Sequence, residues 1–284
     1  MLFKEKELYT YLKRLQINEI EQPTLPFLKA LHQAHVQYIS WQTLDIFTNK
    51  KTSISRTDSV HLLLTNRSGY CFHLNHAFYL LLRTLGYNVT IHSAGIHSKN
   101  KVANIDGFHV GLIVHFEEGI NYLVDVGLGD MPLKPILIEE GFVQQGFSTL
   151  NLTQSTVSPD AIRLNNDPRA SYLGVDYSLK EEADFQIFYP KHEMYRDSEI
   201  SPWRNLLIFK NRTEMQANEL KGCVFTTRDN IGVHQVEVTL KKMWLELIHD
   251  VFYEQLCAYN PDEINTIWLK VQNEQLKWER KIIQ

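Results

Sequence analysis

Apolar residues in this chain change their spacing about a third of the way along, and the change marks a shift from helix to sheet. Leu74, Phe78, Leu81, Leu82 and Leu85 recur at the three- and four-residue steps of one helical face. Gly69 lies ahead of this run and Gly86 follows it, so a helix is predicted between them with Cys71 in its first turn. Thr24 precedes Leu25-Pro26-Phe27-Leu28, and Thr followed by an early Pro is a helix-start pattern, so another helix is predicted near Pro26. From about Val89 the period falls toward two and β-branched residues become more frequent. Residues 151–184 are rich in Ser, Asn, Asp and Pro and predict loop with short strands. Val236 to Leu240 alternates like a strand. Met243 to Tyr253 and Ile264 to Ile282 read as helices, with Trp268 and Trp278 expected in their core.

Residues 108–126 carry the sharpest pattern. Phe108 to Phe116 leads through Glu117-Glu118-Gly119 to Ile120 and Val126. A three-residue loop ending in a left-handed Gly119 sets Phe116 opposite Ile120. One face of the hairpin then carries Phe108, Val110, Leu112, Val114, Phe116, Ile120, Tyr122, Val124 and Val126, all apolar. A two-residue turn would mix polar and apolar side chains on both faces, so the pattern selects the longer loop. In this register His109 faces Gly127 and lies diagonal to Asp125. Diagonal neighbours are roughly 7–8 Å apart at the backbone. Gly111 sits opposite Asp125 and is expected to give the imidazole room to lean across. His109 and Asp125 are therefore predicted to pair.

These positions suggest chemistry. A helix N-terminus presents unpaired N–H groups and the positive end of the macrodipole, which favour an anion such as a thiolate. Cys71 is accordingly a candidate nucleophile with a lowered pKa. The alternative is a buried structural cysteine, common for free Cys. A cysteine nucleophile needs a base, and the base needs an orienting partner; His109 and Asp125 could supply both, or could be a structural pair in the sheet. Cys71, His73 and His76 also invite a zinc reading, but Cys71 and His73 do not share a helical face and no second ligand cluster appears, so no metal is expected. Cys223 and Cys257 lie among apolar residues and are expected to be inert.

Composition narrows the picture. The 284 residues are 44% hydrophobic and 22% charged, ordinary for a globular chain with one large core or a few smaller ones. A net charge of -4, from 29 basic and 33 acidic residues, leaves no electrostatic footprint for nucleic acid. The charged start Lys4-Glu5-Lys6-Glu7 is unlike a signal peptide, and no apolar run reaches membrane-spanning length, so no membrane association is expected. Three widely spaced cysteines suit a reducing cytoplasm.

At these residues the chain resembles the arylamine N-acetyltransferases. The matching stretches are Arg67-Ser68-Gly69-Tyr70-Cys71-Phe72, His109, and Val124-Asp125-Val126-Gly127-Leu128-Gly129, with Leu31 to Ile39 and Leu44-Asp45-Ile46 upstream. The resemblance is strong over residues 25–137 and faint beyond. It implies an α+β fold: a helical part over 1–90 carrying Cys71, a β-barrel over 91–200 carrying His109 and Asp125, and an α/β lid over 201–284, arranged around a cysteine-protease-like Cys-His-Asp triad. It implies acetyl-CoA as co-substrate, with Gly127, Leu128 and Gly129 nearest the coenzyme, and a small aromatic amine or hydrazine as acceptor. Two other classes remain open: another Cys-triad enzyme, such as an amide synthase or a transglutaminase-like hydrolase, and a binding protein on a degenerate enzyme fold. Three departures from the family pattern bear on acceptor preference. Ser68 replaces a Gly, His73 stands where Glu is frequent, and Ser40-Trp41-Gln42-Thr43 stands where Pro-Phe-Glu-Asn is frequent. Gln42 thereby removes a carboxylate that could pair with Arg67.

Overall fold

The computed structural model describes residues 2–99, 102–180 and 182–283. Five helices come first: α1 (Glu5–Arg14), α2 (Leu25–Tyr38), α3 (Leu44–Phe47), α4 (Arg56–Leu64) and α5 (Cys71–Thr84), with the short strand β1 (Trp41–Gln42) ahead of α3. Thr24 caps α2 as its sequence predicts, its hydroxyl accepting from the Phe27 amide at 3.4 Å. Helix α5 is buried on nearly every side, from Cys71 to Leu82, as expected of a central rather than a surface helix. It stops where expected, with Gly86 left-handed at φ +92°.

An antiparallel eight-stranded sheet follows, curled into a nearly closed barrel. Its members are β2 (Asn88–His97), β3 (His109–His115), β4 (Asn121–Val124), β5 (Ile136–Leu137), β6 (Gly141–Gln145), β7 (Ser148–Gln154), β8 (Ala161–Asn165) and β9 (Gly174–Ser178), in the order β5-β4-β3-β2-β9-β8-β7-β6. The β3–β4 register is the expected one: Leu112 pairs with Val124, Ile113 with Leu123, Val114 with Tyr122 and His115 with Asn121. Glu118 shares the left-handed backbone of Gly119 in the turn. Val110, Leu112, Val114, Val124 and Val126 pack with Leu74, Phe78 and Leu81 of α5 in the first core. The opposite face sends Leu123 into the barrel, beside Leu150, Leu152, Leu164, Val175 and Tyr177.

Residues 151–184 are loop with short strands, as expected; they hold most of β7 and all of β8 and β9, and these strands form one wall of the barrel. Their outward polar residues and short length hid an inward apolar alternation that only the closed sheet makes visible. The strand expected at Val236 to Leu240 lies earlier, as β13 (Val233–Glu237), because Val238 turns into the core while Leu240 is exposed.

After α6 (Tyr189–Asp197), a second antiparallel sheet runs β1-β10-β11-β12-β13, built from β10 (Ile208–Arg212), β11 (Gln216–Lys221) and β12 (Val224–Asp229) beside β13. Its edge strand β1 thus comes from the helical first part, and Leu44 and Phe47 join the core beneath this sheet. That core also holds Trp244 of α7 (Lys241–Glu246) and Trp268 of α8 (Pro261–Ile283); Trp278 is exposed instead of buried. Between α7 and α8 the chain widens into a π-turn over 247–251, with the Phe252 amide on the Leu247 carbonyl at 3.2 Å. Among the described residues no helix is long and apolar enough to cross a membrane.

Candidate active site

Cys71 is the first residue of α5, and Tyr70 ahead of it is extended. The turn entering the helix is tight. A Cβ on Gly69 would fall 2.6 Å from the His73 ring, so only glycine fits. The chain leaving β4 presses on the same spot: a Cβ on Gly127 would lie 2.8 Å from the Cys71 Cα. Cys71 is thus wedged against the loop that follows Asp125.

One helical turn along from Cys71, Asn75 joins α5 to the hairpin. Its amide nitrogen donates to the Val110 carbonyl at 2.7 Å and to Asp125 Oδ1 at 2.8 Å, and its oxygen accepts from the Val126 amide at 3.0 Å. Asp125 is fully buried and is the hub of the site. His109 Nε2 lies 2.6 Å from its Oδ2, the Tyr177 hydroxyl donates to the same oxygen at 2.6 Å, and the Gly127 amide donates to Oδ1 at 2.8 Å. Burial pushes the Asp125 carboxyl up, but His109, Asn75 and Tyr177 together hold it below the usual carboxylate range. The predicted His109–Asp125 pair is present, and because it uses Nε2 the other ring nitrogen, Nδ1, points away from the carboxylate.

His32 of α2 completes the support. Its Nε2 accepts from the Asp125 amide at 3.3 Å while its Nδ1 lies 3.0 Å from the Leu133 carbonyl, so one neutral ring ties both ends of the 125–133 loop. Burial lowers the His32 pKa to about 4, which keeps that tautomer uncharged at neutral pH.

Several expectations are corrected here. Gly111 does not make room for the imidazole. A Cβ there would meet the Tyr177 ring at 2.5 Å, so the glycine admits the tyrosine that reaches Asp125. The helix end does not lower the Cys71 pKa by itself: burial pushes the thiol up, the Asp125 charge adds to this, and the amides of Phe72 and Cys71 pull the other way without prevailing. A thiolate here therefore requires a neutral base beside it that takes the proton and becomes the compensating cation. Arg67 does find a carboxylate despite Gln42, donating to Asp45 at 2.6 Å. Cys257 is exposed rather than sheltered. Asn75 was legible as a polar residue one turn from Cys71 on an apolar helix; Tyr177 and His32 carried no such signal, because nothing local places them near Asp125.

The loop residues Gly127, Leu128 and Gly129 divide their roles. Gly127 touches Cys71, Leu128 is buried in the barrel core, and Gly129, left-handed at φ +80°, would meet Lys210 and Trp41 if it carried a Cβ. Asp130 anchors the loop, accepting from the Tyr172 hydroxyl at 2.6 Å and from Arg228 at 3.3 Å. His73 and His76 diverge: His76 stacks on Phe185 at 3.7 Å, whereas His73 lies edge-on to Tyr70. Among the described residues no group of three or more His, Cys, Asp or Glu side chains is arranged to hold a metal ion.

This combination of helices, barrel and second sheet around a buried Cys, His and Asp is a fold with known counterparts. The N-acetyltransferase family model matches residues 24–257, and the chain belongs to that family. It is 30% identical over 140 residues to the arylamine N-acetyltransferase / N-hydroxyarylamine O-acetyltransferase of Salmonella typhimurium, a match covering 49% of this chain and 50% of that protein. The chain spans about half the length of the curated relatives it matches. Its fold is similar to that of the Mycobacterium abscessus arylamine N-acetyltransferase (TM-score 0.82, 21% identity, 93% of this chain and 94% of that one). It is likewise similar to the Mycobacterium marinum arylamine N-acetyltransferase in complex with CoA (TM-score 0.81, 20% identity, 93% and 98%).

Proposed function

We propose that this protein transfers acetyl from acetyl-CoA to the nitrogen of an aromatic amine or hydrazine through an acetyl-Cys71 thioester. The observation that carries the reading is Asp125. One buried carboxylate fixes His109 through Nε2 and is fastened by Asn75 to the helix whose first residue is Cys71. His109 Nδ1 takes the thiol proton, and Asp125 stabilises the imidazolium and fixes the ring orientation. The Cys71 sulfur attacks the thioester carbonyl of acetyl-CoA, and the oxyanion is met by backbone amides at the helix start. The intermediate collapses, the CoA sulfur leaves and takes the proton from His109. The amine then attacks acetyl-Cys71, His109 accepts the amine proton, and the amide departs with Cys71 regenerated.

The Gly127-Leu128-Gly129 loop is the proposed approach for the coenzyme, because it is held against Cys71 on one side and Lys210 on the other. A protein of similar fold was solved in complex with CoA, which supports coenzyme binding by this fold. A reducing cytoplasm suits three free cysteines. Intact-mass spectrometry with acetyl-CoA alone tests the reading. One acetyl mass on Cys71 and one CoA released per chain are expected, followed by parallel double-reciprocal lines when an arylamine is added. Intersecting lines without an acyl-enzyme would mean direct transfer in a ternary complex. An acyl-enzyme that forms but transfers to no aniline or hydrazide would leave another acyl acceptor in its place.

A further inference from the structure

A buried carboxylate from the far end of the chain reaches the segment that presents Cys71. Glu254 follows the π-turn after α7 and is buried. Its Oε1 accepts from the Ser68 amide at 3.2 Å, and its Oε2 accepts from the Ser68 hydroxyl at 2.5 Å. The rest of Ser68 is bonded as well. Its carbonyl accepts from Gln42 Nε2 at 2.7 Å, and its hydroxyl lies 3.2 Å from Ser40 Oγ. The next carbonyl, of Gly69, accepts from the Gln42 amide at 2.8 Å. Every polar group of Ser68, three residues before Cys71, is therefore held.

The two departures Ser68 and Gln42 thus form one arrangement with Glu254. Gln42 supplies an amide donor where a carboxylate is frequent, and Ser68 supplies a hydroxyl where a glycine is frequent. The negative charge enters instead from residue 254. Burying a carboxylate is costly unless donors and a cation compensate it. Ser68 provides two donors. Arg14 of α1 provides the cation, with its Nη1 donating to the Leu63 carbonyl at 2.9 Å and to that of Arg67.

We propose that Glu254 is a positioning residue of the acyl-transfer site, holding the Arg67–Tyr70 segment through Ser68 so that the first turn of α5 presents Cys71 correctly. The proposal rests on the reading of Cys71 as the acylated nucleophile. It differs from plain structural support because burial moves the ionisation of Glu254 toward neutral pH. Burial raises its pKa to about 7, opposed by Arg14 and the Ser68 hydroxyl, while Asp45 raises it further. Arg14 and Asp45 are the charged groups that act on it; Tyr11 in turn lies near Arg14, and Arg67 and Tyr259 are bonded to Asp45. A protonated Glu254 keeps one acceptor oxygen for the Ser68 amide but must donate to the hydroxyl that now donates to it. Ser68 must then turn its hydrogen toward Ser40, and its grip loosens.

Quench-flow measurement of CoA release from acetyl-CoA between pH 5.5 and 9, with melting temperatures alongside, tests this on the full chain. Glu254→Gln should fold, keep the wild-type KM for acetyl-CoA, and acylate about 10- to 100-fold more slowly at pH 8, the scale of loss when a reacting group is held slightly out of place. The wild-type rate should fall as pH drops through the region near 7, and the ratio of wild-type to Glu254→Gln rate, in which the contribution of His109 cancels, should shrink toward one over the same range. Ser68→Ala should slow acylation to a similar degree, and the double variant should be no slower than the worse single one, as for two ends of one interaction. Wild-type rate and pH profile in Glu254→Gln overturn the proposal, and so do losses that multiply in the double variant. Should Glu254→Gln not fold, a wild-type rate in Ser68→Ala overturns it equally. CoA release that persists in Cys71→Ser would instead remove the acyl-cysteine reading beneath it.

Discussion

Asp125 accepts four hydrogen bonds through two oxygens, and each donor comes from a different place: His109, Asn75, Tyr177 and the Gly127 amide. Asp125→Asn replaces one of those oxygens with a donor. The Tyr177 hydroxyl can rotate to accept, but His109 must switch tautomer to stay bonded. The expected result is a folded protein whose acylation falls by roughly three to four orders of magnitude, as for the corresponding change in another triad enzyme. CoA release against an unchanged circular dichroism spectrum checks this; acylation within tenfold of wild type would remove Asp125 from the mechanism. Asn75→Ala acts differently. It strips the Val110 carbonyl and Val126 amide of partners in a dry site, where each orphaned group costs about 1–3 kcal/mol. A large downward shift in the urea midpoint with unchanged slope is expected, besides lost activity.

At the scale of elements, two contacts set the site: the β3–β4 register and the close approach of the 125–133 loop to α5. The register sends Val124 into the core beside α5 and leaves Asp125 at the strand end. Val124→Asp buries an unpaired charge at several kcal/mol, so the protein should be insoluble or unfolded. A soluble, active Val124→Asp variant would mean that the faces are reversed. Gly127→Ala tests the loop. Its added methyl would lie 2.5 Å from Asn75 Nδ2 and 2.8 Å from the Cys71 Cα, so the Asn75 amide is pressed from its bonds to Val110 and Asp125 and the backbone must shift as well. Overpacking of this kind costs about 1–3 kcal/mol. Stability should fall by that amount while acylation falls more than stability explains, measured by chemical denaturation and CoA release on the same sample.

Across the whole molecule, buried neutral histidines set the response to acid. His32, His76, His92 and His192 have pKa values lowered to about 4, and His73 to about 3, in each case first by burial. Their unfolded pKa is about 6.5. Between these values the unfolded chain binds more protons than the native one, so stability rises with pH from about 4 to 6.5 and is lost on acidification through that window. Glu254 has the opposite sign: its raised pKa gives stability that is present below its unfolded value of about 4.5 and lost as pH rises through about 7. One group against five does not reverse the trend. The urea midpoint should therefore climb steeply from pH 4 to 6.5 and then flatten or dip slightly near 7. A flat midpoint across pH 4 to 6.5 would show that these rings are hydrated and charged in the native state.

What the chain dictates by itself is local. The helix around Cys71, its stop at Gly86, the three-residue hairpin turn and the pairing of His109 with Asp125 all follow from spacing, because each depends on residues within about twenty positions and on the fixed periods of helix and strand. Tertiary structure decided what lay outside that range. Tyr177 reaches Asp125 across the barrel from a segment whose short strands carry no local sign of their sheet partners, and Gly111 serves that tyrosine rather than the histidine. His32 ties the 125–133 loop from α2, and Glu254 grips Ser68 from 186 positions away. The protonation of Cys71 belongs to this second class as well. A helix N-terminus favours a thiolate, but the completed fold buries the sulfur and sets a carboxylate near it, and desolvation outweighs the few amides that the helix end alone supplies.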